Sequence, residues 1–472
     1  MKSLIQKLEL SKVKGLKKIE NVFTSVKNNE LKLVNIYFDS SIKKIEPVTN
    51  KIFDWSEINT KAKRNKIAKQ FSIKNDEQLF LAIPGGIDSH VHFDTPGFEF
   101  REDFIHASKA SIAGGTTTII DMPCTSIPPV TTLKNFNIKL NAIKNKGKVN
   151  RYFWGGISGN DFNIKEVEKN IFDLANASVV GFKIYVISGM ESFSDLTYEQ
   201  IKTVAKIVAK TKKILAVHAE DKDLVLSREL EFKRQNKNDW KHYCKSRDVN
   251  AEVVAVEKMI EISRETNCKI HIVHLSSKKA LDIIKKAQQD GIKISTETCT
   301  HYLFFTQKDF ENEKIRNYLK TAPPVKNEID KKALWNGLKN GSINFVTTDH
   351  AGCNPIKEKS SKNFWQVYGG IPGVQHRVSF LFSEGFLKKK ISLQKTIELL
   401  STNVAEFFNL QKKGKLETYY DADFVLIDLW NKEKINANEM YSKGKYTPFE
   451  GHTFNCVVKK TYVGGKLIYQ RS

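Results

Sequence analysis

Between Leu81 and about residue 400, short apolar runs of β type alternate with longer amphipathic stretches. The longer stretches have helical spacing, as in residues 132–143, 197–212 and 250–266. Eight strands that alternate with helices predict a (β/α)8 TIM-like barrel, in which the active site lies at the C-terminal ends of the strands. The predicted strands are a run that begins at 79–83 and continues to His92, followed by 116–122, 151–156, 179–186, 214–220, 270–275, 292–297 and 343–349.

The two ends of the chain have a different pattern. Residues 31–39 alternate like a half-buried strand, and 423–429 and 456–469 predict a strand and a hairpin that turns at Gly464 and Gly465. The polar, lysine-rich stretch 40–75 is interpreted as a surface excursion with one helical piece. The predicted architecture is a barrel with a small β-sandwich domain built from both chain ends. Its expected parts are residues 1–80 for the N-terminal portion of the small domain with its insertion, 81–405 for the barrel and 406–472 for the C-terminal portion.

Composition argues against several classes of protein. The net charge of +23 comes mostly from lysines spread along all 472 residues, with no arginine-rich or aromatic-interleaved patch, so a nucleic-acid partner is not expected. No apolar run reaches the length of a membrane span, and the N-terminus lacks the pattern of a secretory signal. Six scattered cysteines without a C-x-x-C spacing favour free thiols in a reducing compartment, so the expected location is the cytoplasm.

Polar side chains collect at the ends of the predicted strands. His90 and His92 are two residues apart on a strand, so their rings point to the same face and can reach one metal ion. Each such residue alone has an ordinary explanation, such as a core histidine or a surface lysine. Six of them at strand ends of one barrel are not expected by chance; they are His90, His92, Lys183, His218, His274 and Asp349.

Several segments then point to a family. The chain resembles the cyclic amidohydrolases of the amidohydrolase superfamily, a group of dihydroorotases, allantoinases and hydantoinases, and it is most similar to the allantoinases. The resemblance runs from about residue 80 to the C-terminus. It is carried by residues 121–132, 153–156, 180–183, 246–252, 297–302, 322–324 and 368–373.

This resemblance implies two Zn²⁺ ions per subunit, a small cyclic amide as substrate, and a homotetramer. Lys183 is expected to be carbamylated by CO₂ to N6-carboxylysine, because a free ammonium would repel the dications whereas a carbamate can bridge them. The implied ligands are His90, His92, Lys183 and Asp349 for one metal, and Lys183, His218 and His274 for the other. Asp349 is the implied catalytic residue, acting first as a general base and then as a general acid while the ring opens to an N-carbamoyl product.

The substrate is constrained by departures from the dihydroorotase pattern. Asp94 stands where dihydroorotases carry an arginine, and Cys124 stands where they carry an asparagine, so an anionic dihydroorotate is disfavoured and neutral allantoin is preferred. Cys124-Thr125 and Cys299-Thr300 also depart from the usual allantoinase segments. The expected substrate-binding residues are Asp94, Cys124, Thr125, Cys299 and Gly370. Dihydroorotase and dihydropyrimidinase or hydantoinase remain alternative enzymes, and a metal-free scaffold homologue is the alternative without catalysis.

Overall fold

Eight strand positions form a parallel barrel in the computed structural model, which describes residues 15–73, 79–160 and 162–471. A four-stranded sheet and a six-stranded sheet are joined at two places where a barrel strand is interrupted. At the third position Trp154 separates the two halves, of which one pairs with the second strand and the other with the fourth. At the eighth position Thr348 and Asp349 separate the halves, and the second half pairs with the first strand. The barrel strands are β5 (Gly86–His92), β6 (Thr116–Asp121), β7 (Asn150–Phe153) with β8 (Gly155–Gly156), β9 (Gly181–Tyr185), β10 (Ile214–His218), β11 (Lys269–Ile272), β12 (Ile294–Cys299), and β13 (Phe345–Thr347) with β14 (His350–Ala351).

Helices follow the barrel strands and bury one apolar face each. In the helix Tyr198–Lys210, Thr197 accepts a hydrogen bond from the Gln200 N–H, and this capping box fixes the start of the helix next to where the pattern placed it. Helices also cover the predicted stretches 132–143 and 250–266. The helices between barrel strands are Phe104–Ala113, Leu133–Ile143, Ile164–Asn176, Tyr198–Lys210, Lys222–Arg234, Trp240–Ser246, Val249–Thr266, Lys278–Gln289, Thr300–Phe304 and Glu328–Asn340, and those after the barrel are Pro355–Glu358, Arg377–Phe380, Leu393–Ile397 and Asn403–Phe407.

A seven-stranded sheet combines both ends of the chain. Its strands, in spatial order, are β19 (Lys466–Gln470), β18 (Val457–Val463), β15 (Phe424–Asp428), β4 (Leu81–Pro84), β1 (Lys17–Ser25), β2 (Glu30–Phe38) and β3 (Ile42–Asp54). The predicted hairpin at the C-terminal end is present as β18 and β19. Two short strands, β16 (Glu433–Lys434) and β17 (Thr453–Phe454), pair with each other in a separate sheet.

The apolar run at 79–83 does not continue into the histidine strand as predicted. It forms β4, which pairs with β1 and β15 in the seven-stranded sheet, while the barrel strand β5 begins at Gly86. The chain changes sheets between two glycines: the Gly85 N–H donates to the Asp423 carbonyl at 2.9 Å, and the Gly86 N–H donates to the Gly115 carbonyl at 2.9 Å. A Cβ at Gly85 would lie 2.0 Å from the Thr117 Oγ1, so the crossover requires glycine.

The stretch 40–75 was also interpreted incorrectly in part. Its first portion is the 13-residue strand β3, and the expected helical piece is the helix Lys61–Gln70; positions 74 and 75 lie outside the described residues. β3 pairs with β2 at the edge of the sheet, and all but two of its 13 residues are at least partly exposed. A lysine-rich edge strand therefore lacks the apolar alternation that identifies a half-buried strand.

Within the described ranges, no helix is both long enough and apolar enough to cross a membrane. All six cysteines are buried and unpaired.

Candidate metal centre

The six predicted ligands lie at one mouth of the barrel. Because all barrel strands run parallel, their C-terminal ends meet there. His274 and Asp349 turn inward with left-handed backbone angles (φ +40° and +48°), a conformation that non-glycine residues adopt mainly where the surrounding structure imposes it. The ligands are His90 and His92 on β5, Lys183 on β9, His218 at the end of β10, His274 after β11 and Asp349 between β13 and β14.

The first half of the centre, formed by His90, His92 and Asp349, converges on one carboxylate oxygen. The Nε2 atoms of both histidines lie 3.1 Å from the Asp349 Oδ1. One ligand atom from each of the three residues lies within 4.8 Å of the other two. Two imidazole nitrogens and a carboxylate oxygen in such a cluster are a donor set that suits Zn²⁺.

The second half, formed by Lys183, His218 and His274, has no carboxylate between its histidines. The His218 Nδ1 lies 3.0 Å from the His274 Nε2, and the rings of His90 and His274 are 5.4 Å apart between centroids, so the two halves adjoin. The Lys183 side chain is fully buried, and no hydrogen-bond partner for its Nζ occurs in the described chain. Burial lowers the pKa of Lys183 to about 8, so the neutral fraction of this amine at pH 7 is far larger than that of an ordinary lysine, although the ammonium still predominates.

Two buried glutamates fix the orientation of the histidines. The Glu297 Oε1 lies 2.6 Å from the His90 Nδ1, and the Glu220 Oε2 lies 3.0 Å from the His218 Nε2. A carboxylate accepts the N–H of the imidazole, so the His90 Nε2 and the His218 Nδ1 present their lone pairs to the centre. Burial alone raises the pKa of Glu297, but the charge of His90 and the hydrogen bonds from His271 and His90 lower it to about 2.

Neither glutamate was assigned a role from the sequence. Glu220 is two residues beyond His218, which is a spacing that could have indicated a shared face, and Glu297 ends a predicted strand. The same Glu220 Oε2 also accepts a hydrogen bond from the Arg247 Nη1 at 2.5 Å. The pairing of Arg247 with this strand end depends on the path of the chain after β10 and has no signal in the local sequence.

A cavity of about 560 Å³ opens above the centre. Of the predicted substrate-binding residues, Thr125 and Gly370 line it. The Gly370 N–H donates to the Lys320 carbonyl, and the Gly370 carbonyl accepts from the Tyr446 hydroxyl, so this backbone is already fixed by the protein. A Cβ at Gly370 would lie 2.8 Å from the Ala351 carbonyl oxygen, which explains the glycine.

The other three predicted contacts are buried away from the cavity surface. The Cys124 Sγ lies 3.2 Å from the Tyr185 hydroxyl, and the Cys299 Sγ lies 3.5 Å from the Thr347 Oγ1. Both carboxyl oxygens of Asp94 are without a hydrogen-bond partner among the described residues, and burial raises its pKa well above the ordinary value. Burial thus opposes the charged form of the Asp94 carboxyl, and its predicted repulsion of dihydroorotate stays a prediction.

Lys320 anchors a loop at the rim of the cavity through hydrogen bonds. Its Nζ donates to three carbonyls of one loop, those of Phe364 (2.6 Å), Trp365 (3.1 Å) and Val367 (2.6 Å). Lys320, Trp365 and the following Tyr368 all line the cavity. An ammonium has three N–H donors, so this side chain is saturated and fixes the loop in place.

Comparison with known proteins agrees with this geometry. The profile of the amidohydrolase family matches residues 81–468. The chain belongs to the amidohydrolase family. It is 33% identical to an allantoinase of Bacillus licheniformis over 404 residues, which cover 84% of this chain and 87% of the relative. It is also 33% identical to an allantoinase of Saccharomyces cerevisiae over 394 residues, which cover 82% of each chain.

Solved structures show the same fold as this amidohydrolase. An L-hydantoinase (dihydropyrimidinase) from Arthrobacter aurescens superposes with a TM-score of 0.84 at 25% identity, covering 96% of both chains. A dihydropyrimidinase from Brevibacillus agri superposes with a TM-score of 0.82 at 23% identity, covering 96% of this chain and 95% of the other. The predicted barrel with a small β-sandwich domain and the resemblance to the cyclic amidohydrolases are confirmed.

Proposed function

We propose that this amidohydrolase hydrolyses the ring of a cyclic amide, with allantoin as substrate and allantoate as product. The observation that carries the proposal is the convergence of four histidines and Asp349 on the cavity, with Lys183 buried in the same barrel and its Nζ without a hydrogen-bond partner among the described residues. The identity to allantoinases over most of the chain favours allantoin.

The donor set fits two metal ions. His90, His92 and Asp349 would hold one, His218 and His274 the other, and a modified Lys183 would contribute to both. Zinc ions bound there would lower the pKa of a water molecule and polarise the scissile carbonyl. The Lys183 Nζ supports this arrangement: it lies 4.6 Å from the centre of the Tyr185 ring but has no hydrogen-bond acceptor among the described residues, and burying an amine without an acceptor is costly.

Lys183 is proposed to be the carbamylated residue. Its neutral amine attacks CO₂, an N–C bond forms, and one proton is released as the carbamate anion appears. The lowered pKa of Lys183 favours this reaction, since only the unprotonated amine has the lone pair. The product supplies the negative charge that the second half lacks.

Asp349 is proposed to move the proton. Its Oδ1 lies 3.1 Å from the Nε2 atoms of His90 and His92, and the residue lines the cavity that would hold the substrate. Burial raises the pKa of Asp349, but the positive potential and hydrogen bonds of the histidines lower it well below the ordinary value. The carboxylate takes the proton from the water and delivers it to the ring nitrogen as the C–N bond breaks.

A hydantoinase or dihydropyrimidinase activity is the second candidate, favoured by the likeness in fold to the Arthrobacter enzyme. The test uses purified protein incubated with zinc and bicarbonate, and compares turnover of allantoin, hydantoin, dihydrouracil and dihydroorotate. We expect allantoin to have the highest kcat/KM. Turnover of dihydroorotate without turnover of allantoin would contradict the proposal, and a preparation that retains no metal would favour the scaffold alternative. The homotetramer and the cytoplasmic location stay predictions.

A further inference from the structure

On the His218 side of the cavity, the wall carries an arginine that the proposed chemistry leaves without a role. Arg247 lines the cavity together with Tyr243, Lys320 and Trp365. Its side chain is only 13% exposed. A buried cation beside a reaction centre is costly unless it has a partner and a use.

The guanidinium is held in one orientation. Its Nη1 donates to the Glu220 Oε2 at 2.5 Å, and that same oxygen lies 3.0 Å from the His218 Nε2. One carboxylate oxygen therefore joins the cavity wall to the second half of the metal centre.

Arg247 still has donors to offer. The hydrogen bond to Glu220 engages Nη1, which leaves the rest of the five N–H groups of a guanidinium that lines the cavity. Two other lining cations are engaged: the Lys320 Nζ donates to three carbonyls, and the Lys222 Nζ donates to Asp195 at 2.6 Å. Because Glu220 neutralises Arg247, the pair presents N–H donors without net charge, which favours a neutral carbonyl oxygen over an anion.

We propose that Arg247 binds the open-chain urea group of the substrate and thereby selects a ureido-substituted hydantoin over a bare ring. This inference rests on the proposed hydrolysis of allantoin and adds a residue for its specificity. The hydantoin ring lies at the metal centre, and the urea arm reaches along the cavity to the guanidinium. Arginine suits this role because its fixed, planar N–H donors match a carbonyl oxygen better than the single ammonium of lysine does.

The test compares Arg247→Lys and Arg247→Met with the wild type on two substrates that share the ring. Allantoin carries the urea arm and hydantoin lacks it. A lost charge-assisted hydrogen bond predicts that kcat/KM for allantoin falls about tenfold or more, mainly through KM. Hydantoin is measured both as a substrate and as a competitor of allantoin, and its constants are expected to stay within about twofold of the wild type.

Arg228→Met is the matched control, because Arg228 also forms an ion pair with a carboxylate, that of Asp248 at 2.8 Å, on a neighbouring helix. Thermal unfolding and zinc content are measured for every variant, and Arg247→Lys keeps the charge beside Glu220 if Arg247→Met folds poorly. Equal losses for allantoin and hydantoin, or no loss for allantoin, would overturn the proposal and leave Arg247 as a support for His218. If the wild type acts on hydantoin but not on allantoin, the proposed substrate itself is wrong, and the role of Arg247 is rejected with it.

Discussion

The two halves of the metal centre are supported by different means. In the first half, Asp349 supplies a carboxylate that both His90 and His92 contact, and Glu297 holds His90 from behind. In the second half, His218 and His274 face each other, and the only remaining side chain assigned to it is the buried, unpartnered Lys183. The first half thus has a carboxylate ligand among its encoded side chains, whereas in the proposed arrangement the second half obtains its anionic ligand from the carbamylation of Lys183.

The largest expected effect comes from removing the lysine. In Lys183→Met we expect zinc content to fall from about two ions per chain to about one, because only the first half keeps an anionic ligand. Turnover is expected to fall roughly a thousandfold, since metal polarisation of the carbonyl contributes several kcal/mol. Metal analysis and steady-state kinetics check this, with the exposed Lys202→Met as the control. A variant that retains both ions would show that the second half does not need Lys183.

Excluding CO₂ tests, without a mutation, whether the second half of the metal centre needs a carbamylated Lys183. Metal-free protein reloaded with zinc in CO₂-free buffer is expected to bind about one ion per chain, and added bicarbonate is expected to restore the second ion together with activity. Intact-mass measurement of the native protein follows the added carboxyl group. Full loading and full activity without bicarbonate would contradict carbamylation.

An intermediate effect is expected for the supporting glutamates. Glu297→Gln is expected to weaken zinc binding in the first half about 10- to 100-fold, because the amide orients the His90 ring less strongly than a carboxylate does. Glu220→Gln is expected to act on the second half in the same way. Competition with a chelator measures the zinc affinity of each site. If both variants weakened the same site equally, the assignment of one glutamate to each half would be wrong.

The smallest effect is expected at Cys124, a thiol that contacts His92 of the first half. Its Sγ lies 3.8 Å from the His92 Nδ1 and 3.2 Å from the Tyr185 hydroxyl, but the Thr125 hydroxyl also reaches the His92 Nδ1 at 3.2 Å. Because that second contact remains, Cys124→Ser is expected to change kcat/KM less than about threefold. Cys353→Ser, which alters a buried thiol at a different position, serves as the control. A loss comparable to that of Glu297→Gln would mean that Cys124, rather than Thr125, holds His92.

The barrel strands and the six polar residues near their ends could be predicted, because each strand and its polar residue are recognised within one short stretch of sequence. A β-type run followed by a histidine or aspartate identifies both the strand and the face on which the side chain lies. The partners of those residues could not be predicted in this way. Arg247 reaches Glu220 only through the path of the helices between β10 and β11, and Glu297 reaches His90 across the barrel from β12 to β5.

The errors in the predicted strands also have physical causes. β4 and β5 were interpreted as one strand because their residues are buried throughout, and only the two glycines between them show that the backbone changes sheets. β3 was interpreted as a surface excursion because an edge strand keeps lysines on its solvent side. In both cases the sheet to which a strand belongs is decided by long-range pairing and not by the composition of the strand.

The place of β4 in the seven-stranded sheet has a consequence for how the protein is made. β4 pairs with β1 on one side and with β15 on the other, and β15 leaves the ribosome only after the whole barrel has been synthesised. Until then, the backbone N–H and C=O groups on one edge of the apolar strand β4 have no partner strand. Such an edge can pair wrongly with other chains. Closure of the small sheet is therefore a late event in biogenesis, and truncation before β15 would leave that edge permanently open to aggregation.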